Sequence, residues 1–586
     1  MQSELGLDAA EPSPSVAPEP SKSVRVSAAR LSVVVLTVLG FVAPVALYVW
    51  VTATDSLDVL RADQWFDVEM VKHSFHGTLS LSMLWALHSD NRIFFQNLVT
   101  LLVAHTAHFN VLVDVWLNVI LLAGATTLVV LAHHRRSETT PWIWYCPFVI
   151  VMFSVAQCED TLYGFQVGWF LVLSGLALVL FLLDRPTLTW VALAGAVSFG
   201  VIASYSSLQG LFVWPVGLAL LLQRARPRRV IYAWVIAGLA AITLYFYNWN
   251  SGASQGIPYA LHHPFQAVEF YIFAIGDILG ASISDSPHGT QWAVFAFGVV
   301  VLGAGVWAIV SSGLRVDVSS GRPIGVALVW TGLLFAIAIA GGRLSDGLSR
   351  AGSSRYVTFD LLVVAGSYLV AIDRFVHRGS PEDGLRSKVT AVVPGAVTAL
   401  LVALLAIMGT VNGINGARSY HDFEEQAAVV TANIGRAPDG LVESQLGAGV
   451  QSAGFIREMV AFIRAHHLSL FSTSAASTYA QQQIPTNRTP PTVSIANPTS
   501  GEHLHGKIFL VARASDSYGI TKVEFELRIG QSASTVISRG YPTPYGYIGG
   551  WNTASVPNGP YFLRSVAIAP GGLSAASKWD VVEIHN

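Results

Sequence analysis

The sequence predicts an α-helical polytopic membrane protein followed by a small extracytoplasmic all-β sandwich. Three features predict it. Of the 586 residues, 52% are hydrophobic and only 12% charged, against about 25% charged residues in a soluble globular protein. The apolar residues gather into stretches close to the roughly 20 residues that a membrane-spanning helix needs. After residue 490 the pattern changes to short alternating strands punctuated by Pro, Gly and Asn. Together with a mean hydropathy of +0.52, these figures exclude a water-soluble enzyme and a disordered scaffold. The net charge of −2 leaves no basic surplus for nucleic acid.

Residues 1–30 are a polar tail with Pro12, Pro14, Pro18 and Pro20, ending in Lys22, Arg25 and Arg30. The apolar run 31–51 is too long for a signal-peptide core and reads as an uncleaved first span. Further spans fall near 109–132, 141–157, 167–183, 188–204, 208–222, 230–247, 291–311, 323–341, 356–372 and 389–410, which makes eleven. Charge sets the orientation. With the N-terminus in the cytoplasm, inner segments collect sixteen Lys and Arg residues and the outer loops before 411 hold six: Arg61, Lys72, Arg92, Arg343, Arg350 and Arg355. That is a positive-inside bias. Counting 263–283 as a span would reverse the later clusters, so this segment, with Glu269 and Asp277, reads as a partly buried outer-face helix or re-entrant segment.

An odd span count sends the rest of the chain outside. Residues 411–489 read as short helices, one of them near 451–466, and a Ser/Thr/Gln/Pro-rich linker; residues 490–586 read as the sandwich. The two cysteines, Cys146 and Cys158, would lie near 18 Å apart on one helix at about 1.5 Å rise per residue, too far to bridge.

The first outer loop, 52–92, is unusually acidic for this chain, with Asp55, Asp58, Asp63, Asp67, Glu69 and Asp90 beside His73, His76 and His88. A single acid there reads most simply as a solvated loop residue. Asp63 and Asp67 are four apart, and a helix would set both on one face beside Trp65. Asn110, Asp114 and Asn118 repeat every four residues on the second span and make one polar stripe, which either lines a cavity or bonds to a neighbouring helix. His73-x-x-His76 lacks a third ligand at a fixed spacing, so it does not make a metal site.

The order of these features, with the strings RADQWFD, WALHSDNRIFFQNL, QCEDTLYGFQVGWFL, YSSLQGLFVWP and SSRYVTFDLL over most of 31–410, resembles the bacterial GT-C superfamily of membrane glycosyltransferases. The resemblance implies a sugar donor carried on a polyprenyl phosphate and a loop acid acting as general base on the acceptor hydroxyl. It also implies inversion as the lipid phosphate leaves, and residence in the bacterial cytoplasmic membrane. Asp63 matches the first position of the family's acidic pair. Its second position is Gln64 here, which leaves Asp67 as a rival base and weakens a metal-assisted variant; the resemblance requires no cofactor, though a divalent metal stays compatible with it. Partial burial is expected to raise the base's pKa. For the donor phosphate the expectation is Arg355 first, then Arg92, with Arg350 and Arg343 in the same outer loop, because a planar guanidinium donates two parallel hydrogen bonds. Headgroup snorkelling is the plainer role for an Arg at a helix end. Asp114, Glu159, Asp160, His262 and His263 are expected around the substrate cavity. The implied partners are the polyprenyl-phosphate-linked sugar, an extracytoplasmic glycan or glycolipid acceptor, and membrane lipid.

The strings PPTVSIANPTSGEHLHG, ASDSYGITKVEFEL and YGYIGGWNTASVPNGPYFLRSVAIA resemble bacterial Ig-like modules, in which alternating apolar positions face a sandwich core. Trp551 and some of Tyr541, Tyr545 and Tyr547 read as core or edge residues, with a sugar-stacking surface as the alternative. Two other functions stay open: a lipid-linked sugar flippase or transporter, and a non-catalytic cell-envelope scaffold worked by the Ig-like module. The orientation gives a direct prediction. A reporter fused after Ser137 reads as cytoplasmic and one after Asn487 as extracytoplasmic; both reporting from one side would overturn the span count.

Overall fold

The computed structural model describes residues 22–249, 256–280, 288–312, 316–346, 351–376, 385–447, 451–482, 484, 490–516, 520–543, 546–569 and 572–586. All eleven apolar stretches are helical. Nine of the described helices are long and apolar enough to cross a membrane: Arg30–Asp55, Val111–His134, Trp142–Leu162, Gly164–Leu183, Arg228–Phe246, Ala293–Ser312, Arg322–Arg343, Ser354–Phe375 and Val393–Ala432. Trp190–Ser204 and Leu208–Gln223 are shorter, and so is a further apolar helix, Phe94–Thr106, between the first outer loop and the second span, a stretch to which the sequence pattern assigns no element. The spans Ser354–Phe375 and Arg322–Arg343 are the most buried, and one apolar core joins them to their neighbours.

The segment 264–276 is a helix of 13 residues, about 20 Å at 1.5 Å per residue and short of the roughly 30 Å hydrocarbon layer. It ends in a short 3-10 turn, Asp277–Leu279, closed by Gly280 at φ +62°. It packs closely on the helix His288–Ser312, because a Cβ at Gly276 or Gly298 would meet the carbonyl oxygen of Val294 or Ile272.

At one end of the helical body the basic residues converge. The buried carboxylate of Asp184 receives Arg224 Nε at 2.6 Å, Arg136 Nε at 3.2 Å and Arg135 Nη2 at 3.3 Å. Much of the basic surplus on this face is therefore a packed network, not free charge.

The opposite end, here the loop face, differs from a string of loops. The last long helix does not stop near 410 but runs from Leu385 to Ala432, since no proline breaks it after Pro394. It carries Ala427, Ala428 and Val430 into a second apolar core. Val59, Leu60, Trp65, Val68 and Val71 of the first loop enter the same core, as do Leu441, Val442 and Leu446, and Ile456, Met459, Val460 and Ile463. The helix near 451–466 is present as Ala453–Ala465. Its apolar positions face this core, and Ser452 caps it by accepting from Phe455 N–H.

The C-terminal strands are β3 Thr492–Asn497, β4 His503–Leu504, β5 Lys507–Ser515, β6 Lys522–Arg528, β7 Thr535–Thr543, β8 Gly546–Asn552, β9 Gly559–Ile568, β10 Ser574–Ala576 and β11 Asp580–Ile584; β1 Leu87–His88 and β2 Asn91–Arg92 form a separate hairpin in the first loop. The order is β3-β5-β8-β7-β6-β9-β11-β4, with β10 on β9. β7 switches partners, pairing β6 up to Gly540 and β8 from Tyr541. That switch lets the two halves fold over a core of Leu510, Phe525, Leu527, Trp551, Leu563 and Val582. Trp551 is thus a core residue, Tyr541 is exposed, and Tyr545 lies outside the described residues.

Trp65 is wholly buried in the loop-face core, and its indole Nε1 donates to Leu446 O at 3.0 Å. Trp65→Ala is expected to cost about 3–5 kcal/mol, and Trp65→Phe, which loses the hydrogen bond and part of the buried ring volume, less than that. Thermal unfolding of the full chain in detergent measures both; equal melting of wild type and Trp65→Ala would remove Trp65 from the core.

Candidate active site

Asp63 opens the helix Gln64–Phe75, and the turn before it is anchored by residues nearly 400 positions away. Leu446 O accepts from Ala62 N at 2.7 Å and from Trp65 Nε1 at 3.0 Å, while Gln451 Nε2 donates to Ala62 O at 3.0 Å. Ala62 sits at φ +48°, a left-handed conformation that a non-glycine residue holds only where its surroundings enforce it. Tyr163 Oη donates to Arg61 O at 3.2 Å. The Arg61 guanidinium lies over the Tyr420 ring at 4.0 Å and pairs with buried Glu424 at 3.8 Å. Glu424 Oε2 in turn accepts from Leu57 N–H at 3.2 Å.

The brace separates the two loop acids. The Asp63 side chain is 44% exposed, whereas Asp67, one turn deeper, is 6% exposed among the residues of the loop-face core. Burial pushes the Asp67 carboxyl well above its usual range, and the nearby charges of Asp114 and Asp63 add to this. Asp63 goes the other way. Partial burial alone would raise it, as expected from sequence, but the close approach of His88, with the charges of Arg355 and Arg343, outweighs burial and lowers it. Asp63 is therefore held as a carboxylate. His88 Nε2 lies 3.6 Å from Asp63 Oδ1, and its ring sits between Phe66 at 5.7 Å and Phe165 at 5.0 Å.

Arg355 Nη2 donates to Glu159 Oε1 at 2.7 Å. Ser353 and Ser354 hydroxyls donate to Glu159 Oε2 at 3.3 and 3.4 Å, and Glu159 N–H donates to Ser354 Oγ at 3.3 Å. The SSR string thus wraps one carboxylate from the QCED string. Arg355 Nε is buried with no hydrogen-bond partner among the described residues. Arg343 is exposed, and Arg350 lies outside the described residues.

Several expected site residues sit elsewhere. Arg92 is 3% exposed and donates through Nε to Tyr245 O at 2.6 Å, through Nη1 to Trp85 O at 2.7 Å and through Nη2 to Tyr247 O. All three nitrogens are engaged by backbone carbonyls, so Arg92 ties the β1–β2 hairpin to the end of the helix Arg228–Phe246, and its assignment to the phosphate is corrected on that ground. Asp160 is wholly buried, accepting from Thr358 Oγ1 at 2.6 Å. The polar stripe divides: Asn110 caps the helix Val111–His134, Asn118 donates to Asp160 O at 3.3 Å, and buried Asp114 belongs with Asp67. His262 and His263 bond within their own helix, to Pro258 O and Tyr259 O.

The donors around Asp63 do not suit a divalent cation. Gln64 Oε1 accepts from Arg61 N–H at 3.3 Å, Asp67 is buried, and the nearby charges from Arg343 and Arg355 are positive. His88, Tyr163, Phe165 and Glu424 are the residues that sequence reasoning left without a role. The first three lie inside strings already singled out, WALHSDNR and CEDTLYGFQ, and Glu424 lies in the charged run HDFEEQ after the last apolar stretch.

Residues 491–564 match the bacterial Ig domain family. No curated protein matches the chain. Among solved structures the chain has a likeness to the endo-beta-1,4-mannanase from Thermotoga petrophila, at 15% identity and a TM-score of 0.14 over 23% of this chain. The matched part spans 24% of that enzyme's chain.

Beneath the site, Asp58 Oδ1 accepts from Val111 N–H at 2.9 Å and Ser469 Oγ at 3.1 Å. Burial pushes its carboxyl from 3.8 up to about 6, against the pull of those two bonds. The folded chain therefore holds this proton more tightly than the unfolded one. The stabilisation is full below 3.8 and is lost as pH rises through about 6. Asp58→Asn, which keeps an acceptor but cannot ionise, is expected to gain on wild type in thermal stability as pH rises from about 4 to about 6 and to keep that gain above it. Parallel melting curves for the two proteins would remove Asp58 as the source.

Proposed function

We propose that this chain is a GT-C-like membrane glycosyltransferase of the bacterial cytoplasmic membrane, with its N-terminus cytoplasmic and its Ig-like module outside. It moves a sugar from a polyprenyl-phosphate donor to an extracytoplasmic glycan or glycolipid. The reading rests on Asp63, an accessible carboxylate on a braced turn, kept ionised by His88, Arg355 and Arg343.

In this reading an acceptor hydroxyl meets Asp63, which takes the proton as the hydroxyl oxygen attacks the anomeric carbon. The bond from that carbon to the donor phosphate oxygen breaks on the opposite side, with inversion, and the lipid phosphate leaves as the anion. Arg355 and Arg343 supply positive charge at that oxygen. Glu159 orients Arg355 through their 2.7 Å contact, leaving the buried Nε without a hydrogen-bond partner among the described residues. A pKa below the usual carboxylate range makes Asp63 a weak base, which suits a transition state in which departure of the leaving group runs ahead of proton removal. Phe66 and Phe165, packed on His88, offer apolar faces of the kind that pack against sugar CH groups.

A second reading, a lipid-linked sugar flippase, draws on other residues. Asp160, Asp277 and Asp360 are buried among the apolar helices, and both Asp360 carboxylate oxygens lack a hydrogen-bond partner among the described residues. Ionisable groups at such depth mark transport pathways.

The test is purified full chain with a panel of polyprenyl-phosphate sugars and a soluble sugar acceptor, scored by released lipid phosphate. Asp63→Asn is expected to lower turnover by about 100-fold to 10,000-fold, while Asp67→Asn stays within about tenfold of wild type. Loss in Asp67→Asn alone would move the base one turn along the helix. Full turnover in both variants would end the mechanism, and lipid-sugar translocation without phosphate release would favour the flippase.

A further inference from the structure

The C-terminal module carries a cluster that the proposed transfer does not use. β4 runs parallel to β11 with His503 beside Glu583 and Leu504 beside Ile584. Leu504 and Ile584 are buried in the sandwich core. Side chains alternate along a strand, so His503 on β4, Glu583 on β11 and His585, the residue after β11 ends, all stand on the outer face. His503 Nδ1 is 3.5 Å from Glu583 Oε2, and His585 Nε2 is 3.3 Å from Glu583 Oε1. One donor atom from each of the three lies within 4.8 Å of the others.

We propose that His503, Glu583 and His585 form a surface site for a divalent transition metal of the zinc type. Two imidazoles and one carboxylate are a zinc ligand set, with metal–ligand bonds of about 2.0–2.2 Å; tetrahedral geometry then requires donor atoms about 3.3 Å apart. The two short contacts, 3.5 and 3.3 Å, run to different oxygens of Glu583, so one edge matches for whichever oxygen ligates, and the rest close by turning the carboxylate and imidazoles that are 67% and 56% exposed. The backbone beneath is fixed. Glu583 N–H donates to Glu502 O at 3.0 Å, His585 N–H to Leu504 O at 2.9 Å and Gly501 N–H to Val581 O at 2.6 Å. Just past His585, Asn586 N–H donates to Asn558 Oδ1 at 2.9 Å, and its own Oδ1 accepts from Thr553 Oγ1 at 2.6 Å. Ligands on strands pinned in this way need little reorganisation to bind. Three protein ligands leave a fourth position for water or an incoming oxygen ligand. A calcium-type ion, which needs six or more oxygens, is excluded by the two nitrogens.

Tag-free full chain in detergent, titrated with Zn2+ by calorimetry and by thermal unfolding, tests the site. The expected result is one saturable site that raises the melting temperature, weakened at least tenfold in His503→Ala/His585→Ala and weakened in Glu583→Gln. Ca2+ should neither bind there nor compete. These side chains are exposed, so metal-free melting of the variants should equal wild type, which separates lost binding from lost folding. Because the chain has 17 histidines, the difference between wild type and the double variant is what decides. Equal Zn2+ affinity and stabilisation in the two proteins, or no Zn2+ binding by wild type up to millimolar concentration, would reduce the cluster to surface ion pairs.

Discussion

The carbonyl oxygen of Leu446 is the point on which the loop face depends. It accepts hydrogen bonds from Ala62 N and Trp65 Nε1 together, so one backbone atom near the end of the helical region fixes the first turn of a helix near its beginning. The contact stands in a dry core, where an unmade hydrogen bond would cost more than a made one contributes. It cannot be exchanged for water without opening that core. The left-handed Ala62, the N-terminus of the helix Gln64–Phe75 and the difference in exposure between Asp63 and Asp67 all depend on it. An acidic loop of about 40 residues, long enough to be mobile in isolation, is thereby made into one wall of a site.

Electrostatics then distinguish carboxylates that composition alone treats as equivalent. Asp67 and Asp58 lie where water is excluded, so both hold their protons more tightly. Asp63 shares the same short segment but meets His88, Arg355 and Arg343, which together overcome the desolvation. Arg355 in turn is held by Glu159, which two serines also bind. Four segments distant in sequence (the first loop, the hairpin, the QCED turn and the SSR turn) are each needed to define one ionised carboxylate and its cationic surroundings. That arrangement is the physical basis for reading sugar transfer at this face, rather than passage through the helices.

The C-terminal module is built on different terms. Its core closes on itself around Trp551, Phe525 and Leu563, and among the described residues Thr521, which a Cβ at Gly440 would meet, and Lys507, whose Nζ lies 5.8 Å from the Tyr259 ring centroid, approach the helical part. The His503, Glu583 and His585 cluster depends only on the β4–β11 pairing and the pinned chain after it. Chemistry at that edge is therefore separable from chemistry at Asp63.

Hydropathy and strand alternation are local properties, and the sequence by itself determined the features that arise within one stretch of chain. It located the eleven apolar stretches, the non-spanning segment 263–283, the helix near 451–466 and the switch to strands at 490, because each depends on local periodicity. It also singled out RADQWFD, QCED and SSRY as polar strings worth placing together. The tertiary structure decided the rest, for reasons of distance along the chain. Whether Asp63 or Asp67 meets solvent depends on Leu446 and Gln451, far downstream. Arg92 reads as a free cation in the sequence, and only the fold encloses it with the carbonyls of residues 245 and 247. The continuation of the last helix to Ala432 depends on a packing partner that the local polarity of 411–432 does not reveal. The pKa of Asp63 reverses direction because burial, the one influence suggested by sequence, is outweighed by His88 and by the charges of Arg355 and Arg343 together. His503 and Glu583 are distant in sequence, and only the parallel register of β4 on β11 makes them neighbours.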